Sequence, residues 1–250
     1  MRTLTQVWVF LVSLTFLLLV LGFQLLGRPG LFFAFILSLL FLYAALQRSL
    51  SLFRGRLNIR EYSGNDPTGF IGELELHKVK FGLKKIFVHT SSVRIPPLVW
   101  QNNANEGHII LNERLLPQLA PLEVRLLALL TLAHLESRSF ILSQVLSILK
   151  IHIFLLSKFS ALFSASLNSL FKTSAEIYTA DSKFKSFSEC SDFEVGYFLN
   201  KLHKFNFNQN YKPDAYYFFS VLSLPYRSQL NEYGVPQLDL RLKKIMGFAL

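Results

Sequence analysis

The stretch EVRLLALLTLAH, residues 123–134, decides how this chain is read. Pro121 stands just before it, and the pattern predicts a helix over residues 121–137. Proline suits a first helical turn, where its missing N–H has no intrahelical acceptor, and Glu123 favours the positive end of the helix dipole. Leucine and alanine fall on nearly every side of this helix, so it should be buried rather than amphipathic. Within its apolar run the polar residues are Thr131 and His134. Two readings of His134 stand: a core histidine hydrogen-bonded to a neighbour, or a residual metal ligand.

The composition is that of a membrane protein. Of 250 residues, 51% are hydrophobic and 25 are Phe, which is high for a soluble protein. The net charge of +10 fits a positive-inside bias and attraction to anionic lipid headgroups. No basic-aromatic module stands out, so nucleic acid is not an expected partner. Cys190 is alone, which leaves no internal disulfide and no cysteine-type metal site; this suits a reducing cytoplasm.

Residues 4–26 are uncharged, longer than the core of a signal peptide, and long enough to span about 30 Å of hydrocarbon. Residues 31–46 form a shorter uncharged run that spans with slight thinning of the bilayer. Gly27-Arg28-Pro29-Gly30 reads as the turn between two transmembrane helices, so residues 1–48 form a hairpin. Arg48, Arg54, Arg56 and Arg60 follow the second span, against Arg28 alone in the turn, which puts both ends in the cytoplasm.

Residues 49–68 read as a polar linker, with Gly55, Gly64 and Pro67 as breakers. A domain over residues 69–250 follows. A helix is expected over 68–79, a strand over 86–89, and another strand, at an edge, over 107–111. Residues 140–171 are rich in Leu, Ile and Phe but interrupted by Lys150, His152 and Lys158. Two full spans do not fit, so this stretch reads as two helices lying in or against the membrane interface. The aromatic run Phe205, Phe207, Tyr211, Tyr216, Tyr217, Phe218, Phe219 reads as core packing and interface anchoring, with a peptide-binding groove as the alternative.

Several short motifs, in order, resemble the HtpX family and its relatives among the CAAX-prenyl proteases. Lys84-Lys85-Ile86-Phe87-Val88-His89 is similar to the strand ahead of that family's edge, and Asn103-Ala104 stand where its Asn-Ala pair falls. Leu111-Asn112-Glu113-Arg114 leads into the helix of residues 121–137. Tyr178-Thr179-Ala180-Asp181 resembles the E-Y-x-A-D motif, and Pro236-Gln237-Leu238-Asp239-Leu240-Arg241-Leu242 resembles H-P-x-L-E-x-R-I, with Val235 at the histidine. The resemblance implies a mainly α fold with a small β-sheet (α+β): a zincin-like domain carried on the N-terminal transmembrane hairpin. It also implies an inner-membrane protein with its main domain in the cytoplasm.

In that family the helix carries H-E-x-x-H, two zinc ligands and the general base, and a glutamate on a later helix is the third ligand. With His134 as the second histidine, the first falls on Leu130, the glutamate on Thr131, and the third ligand on Ile177. Ser139 replaces an expected Asp. None of these side chains supplies the missing chemistry. Reading His134 as the first histidine puts Leu135 at the glutamate and Arg138 at the second histidine. No two of the six His residues lie at i, i+4.

The expectation is therefore a catalytically inactive homologue with no cofactor, acting by binding or regulating membrane proteins or a protease, with membrane lipid around it. Asp181 and Arg241 take structural roles, Asp181 through a hydrogen bond to His134 or to a helix end. Two alternatives stand. One is an active zinc metalloendopeptidase using His134 with Glu136 or Glu176; the other is a purely structural membrane protein. If the alignment holds, Leu130, His134 and Ile177 should converge, with Thr131 beside them.

Overall fold

The computed structural model describes residues 2–47, 57–62, 66–103, 105–137, 174–206, 220–222 and 236–247. It is mainly helical, with one four-stranded mixed sheet among the described residues. The expected helices over 140–171, Ala104, Ser139, Val235 and all of the aromatic run after Phe205 lie outside these residues.

The N-terminal helical segment α1 (Arg2–Gln47) breaks at Gly27, whose φ of 65° and ψ of −143° leave the helical region. A side chain with a Cβ resists that conformation, which glycine adopts readily. The two arms then run back along each other. A Cβ placed on Gly22 would lie 2.5 Å from the Gly30 carbonyl oxygen and 2.7 Å from the Ala34 Cβ. In one straight helix Gly22 and Ala34 would be about 18 Å apart, so the backbone has reversed. The apolar stretch Leu18–Leu40, long and apolar enough to cross a membrane, contains this reversal.

The sheet runs in the order β1 (Ile59–Glu61), β2 (Lys85–Ser91), β4 (Glu106–Asn112), β3 (Leu98–Asn103). β2 and β4 are parallel, with Val88 opposite Ile109; β1 and β3 pair antiparallel on the outside. Two expectations change here. The strand at residues 107–111 is central, because β3 turns back at Asn103 and covers its outer side. Residues 59–61, read as linker, are an edge strand held to β2. Three residues with one alternating pattern carry too little periodicity to be seen in sequence.

Helix α2 (Phe70–His77) is shorter than expected and tightens into a 3-10 turn at Lys78–Phe81. Its start is set by Asp66, whose carboxylate accepts the Ile71 N–H at 2.6 Å and the Thr68 hydroxyl at 2.9 Å. Helix α3 occupies Pro121–Ser137, the predicted range, and Val124 and every residue from Leu126 to Leu135 are buried. Glu123 reaches back to accept the Ala120 N–H at 2.8 Å, the side-chain half of a capping box. One sheet face packs on this helix: Gly107 leaves room for Leu135, whose Cδ1 would stand 2.8 Å from an added Cβ. Val88, Val99, Ile109 and Leu111 join the same core.

Helices α4 (Ser174–Ser188), α5 (Asp192–Asn206) and α6 (Leu238–Met246) complete the domain. α5 opens on a reciprocal capping box. Ser191 N–H donates to Glu194 at 2.8 Å, and Glu194 N–H donates to the Ser191 hydroxyl oxygen at 3.3 Å. Removing the Asp66 carboxylate, which lies three residues before the Gly69 N-cap and accepts the Ile71 N–H, by Asp66→Ala should cost ~1 kcal/mol. Thermal unfolding in detergent, followed by circular dichroism, checks this; an unchanged midpoint would show that Asp66 contributes nothing.

Candidate functional site

α3 and α4 pack antiparallel. His134 near the end of α3 meets Asp181 of α4, while Arg125 near its start pairs with Glu189, just beyond the end of α4, at 2.8 Å. Between them, α6 delivers Arg241. Its Nε donates to Asp181 Oδ2 at 2.8 Å, its Nη2 donates to Oδ1 at 2.5 Å, and its Nη1 donates to the Val221 carbonyl at 2.9 Å. His134 Nε2 lies 3.5 Å from Arg241 Nη2 and 3.8 Å from Asp181 Oδ1. All three are nearly sealed from solvent: His134 at 0%, Arg241 at 1% and Asp181 at 3% exposure. The fork of the guanidinium fits the two carboxylate oxygens, which is why arginine rather than lysine suits this place.

Burial alone would push the Asp181 carboxyl up. The Arg241 charge, with hydrogen bonding and charge from His134 and Arg241, outweighs that and holds it at about 2. The Asp181 carboxylate is therefore ionised across the physiological range.

The other expected site residues are placed as follows. Leu130 and Thr131 are fully buried, and the Thr131 hydroxyl donates back to the Ala128 carbonyl at 2.8 Å. Leu135, the glutamate position in the shifted register, is buried as well. Ile177 is 5% exposed on α4. Glu136 accepts from Lys183 at 2.5 Å, so its carboxylate is occupied by a cation. Glu176 is half-buried and makes contacts of its own.

Leu130 and Ile177 stand at different levels relative to the His134–Asp181 contact. Ile177 lies one turn from Asp181 toward the C-terminal end of α3, and Leu130 lies one turn from His134 in the opposite direction. At 1.5 Å per residue this separates Leu130 from Ile177 by roughly 12 Å along the helix axes. On α3, the position level with Ile177 is one turn beyond His134. Arg138 itself lies outside the described residues.

A second polar group was not singled out from sequence. On the sheet face away from α3, His89 Nε2 and His108 Nδ1 stand 3.1 Å apart, with their rings within 11° of one plane. Trp100 and Phe87 stack on either side of His108, each at 5.0 Å. Strand alternation could have shown that His89 and His108 share this face, but only if β4 had been placed beside β2.

Among the described residues, no three His, Cys, Asp or Glu side chains gather as a metal-holding set. Comparison with protein-family models, with curated proteins and with solved structures finds no match to this chain.

Because the folded pKa of Asp181 is depressed, its contribution to stability is complete above its ordinary value near 3.8 and is lost as pH falls toward about 2. The size expected is about 2 kcal/mol. Denaturant melts between pH 5 and 2 (about three units) should show this loss, and Asp181→Asn should flatten it. An equally steep loss in Asp181→Asn would assign the effect to other groups.

Proposed function

We propose that this chain is a membrane-anchored, catalytically inactive homologue of a zinc metallopeptidase, which binds or regulates membrane proteins or a protease without hydrolysing them. One observation carries the reading. The cation nearest His134 Nε2 is the Arg241 guanidinium, 3.5 Å away and locked onto Asp181. A dication bound at His134 would be repelled by this fixed charge in a buried site, where Coulomb forces are weakly screened. Zinc at a catalytic centre also needs about three protein ligands, and Leu130, Leu135 and Ile177 offer none.

Anchoring rests on α1. Large apolar side chains point outward along both arms, among them Phe16 at 66%, Phe32 at 65% and Leu37 at 63% exposure. Apolar surface of that extent calls for a lipid or protein cover. Arms of residues 2–26 and 28–47 extend roughly 37 Å and 30 Å as helices, which matches a bilayer core. The charge bias around the turn supports an inner-membrane protein with its main domain in the cytoplasm.

The purified protein should hold no stoichiometric zinc by elemental analysis and should not cleave unfolded protein. About one zinc per chain, lost with peptidase activity on chelation, would overturn the reading in favour of the active endopeptidase. Topology is checked separately. Reporter tags at the N-terminus, after Arg60 and at the C-terminus should report cytoplasm, and a tag at Arg28 should report the opposite side. A C-terminus on the far side would contradict the hairpin arrangement.

A further inference from the structure

Helix α2 turns one stripe toward the core. Its buried residues are Phe70, Leu74 and His77, at the i, i+4, i+7 spacing of a single face. The first two join the core cluster, and the helix packs on α3. The third place of the stripe, where an apolar side chain would complete the contact, holds an imidazole instead. Its side chain is only 8% exposed, and neither ring nitrogen has a hydrogen-bond partner among the described residues.

Glu73 stands one turn back on α2. Its Oε2 lies 3.5 Å from His77 Nε2, and neither atom is hydrogen-bonded. The other charged groups around the ring come from three neighbouring elements: Lys80 from the 3-10 turn, Arg125 from α3, and Glu189 from the link between α4 and α5. Arg125 is already committed to Glu189 through Nη2, at 2.8 Å, while its Nε is buried without a partner. A neutral ring leaves two polar atoms unpaired here. A protonated ring would bury a charge and two N–H donors with one carboxylate oxygen close by. The end of a helix favours a cation. Burial opposes it, Lys80 and Arg125 repel it, and together these push the His77 imidazole below its ordinary value of 6.5, against the pull of Glu73 and Glu189.

We propose that His77 is a proton-operated latch on α2: the neutral ring lets the end of the helix close on α3, and a proton on the ring loosens it together with the 3-10 turn that follows. Once opened, the ring takes its proton at the ordinary value. Closure is therefore complete above 6.5 and weakens as pH falls below it. Opening adds Leu74 and Phe81, now buried, to Leu76 and Val79, which already stand 68% and 75% exposed. The latch couples acidity to the display of an apolar surface. Its window lies above that of Asp181, so the two responses are separable.

The test uses the full chain in lipid nanodiscs, with hydrogen–deuterium exchange read over residues 70–81 and over α5 as the reference. Protection, corrected for the intrinsic exchange rate, should fall over residues 70–81 as pH is lowered from about 7.5 to about 5.5. The fall should reach up to about tenfold per pH unit, the limit for one linked proton. Lys80→Gln removes a repelling charge and should move the fall to higher pH. Glu73→Gln removes an attracting one and should move it to lower pH. His77→Leu should abolish it, and the two charge variants keep the test if that chain does not fold. Protection indifferent to pH, an equal loss over α5, a fall that persists in His77→Leu, or charge variants that shift the same way overturns the inference.

Discussion

The buried ion pair of Arg241 and Asp181 is the constraint on which the helical half depends. It joins α6 to α4 across 60 residues of chain, and through His134 it reaches α3, 107 residues away from Arg241. Neither charge is reached by water, so each needs the other. Removing one partner of such a pair typically costs 3–5 kcal/mol, because the remaining charge is left uncompensated. The Arg241 bond to the Val221 carbonyl extends the same lock to the segment beside β3, since Val221 N–H donates to Pro97 at 3.0 Å.

The sheet has two buried faces of different character. The face on α3 is aliphatic, and at Gly107 an added Cβ would press on the Leu135 side chain. The opposite face carries the flat rings of Phe87, His89, Trp100 and His108. The two imidazoles share a hydrogen bond end to end, so one ring nitrogen donates and the other accepts. Such an arrangement satisfies two buried polar atoms without a charge.

These two features bear on chemistry in the same way. Each uses histidine to satisfy burial, with a fixed partner for its ring nitrogen. At His134 the facing group is a cation, and at His89 it is another imidazole. A site arranged around an incoming metal would present lone pairs to open space rather than to a guanidinium.

Much of the local structure was legible in the chain. Pro121, Glu123 and the all-round apolar run marked α3 to the residue, and Gly27 with Pro29 marked the reversal in α1. The capping box Ser191-Asp192-Phe193-Glu194 is a start signal for α5 written in the sequence. His134 stood out in the sequence as a polar residue in an apolar helix. What the sequence could not determine was which polar side chains meet, and at what level. Whether Asp181 faces His134 or Leu130 depends on how two antiparallel helices slide past each other by one turn. That slide is set by packing across the interface, which helical periodicity along either strand of sequence does not record. The same holds for the sheet. The central place of β4 depends on β3 folding back beside it, and the partners of a strand are chosen by contacts far apart in the chain, where only the tertiary structure decides.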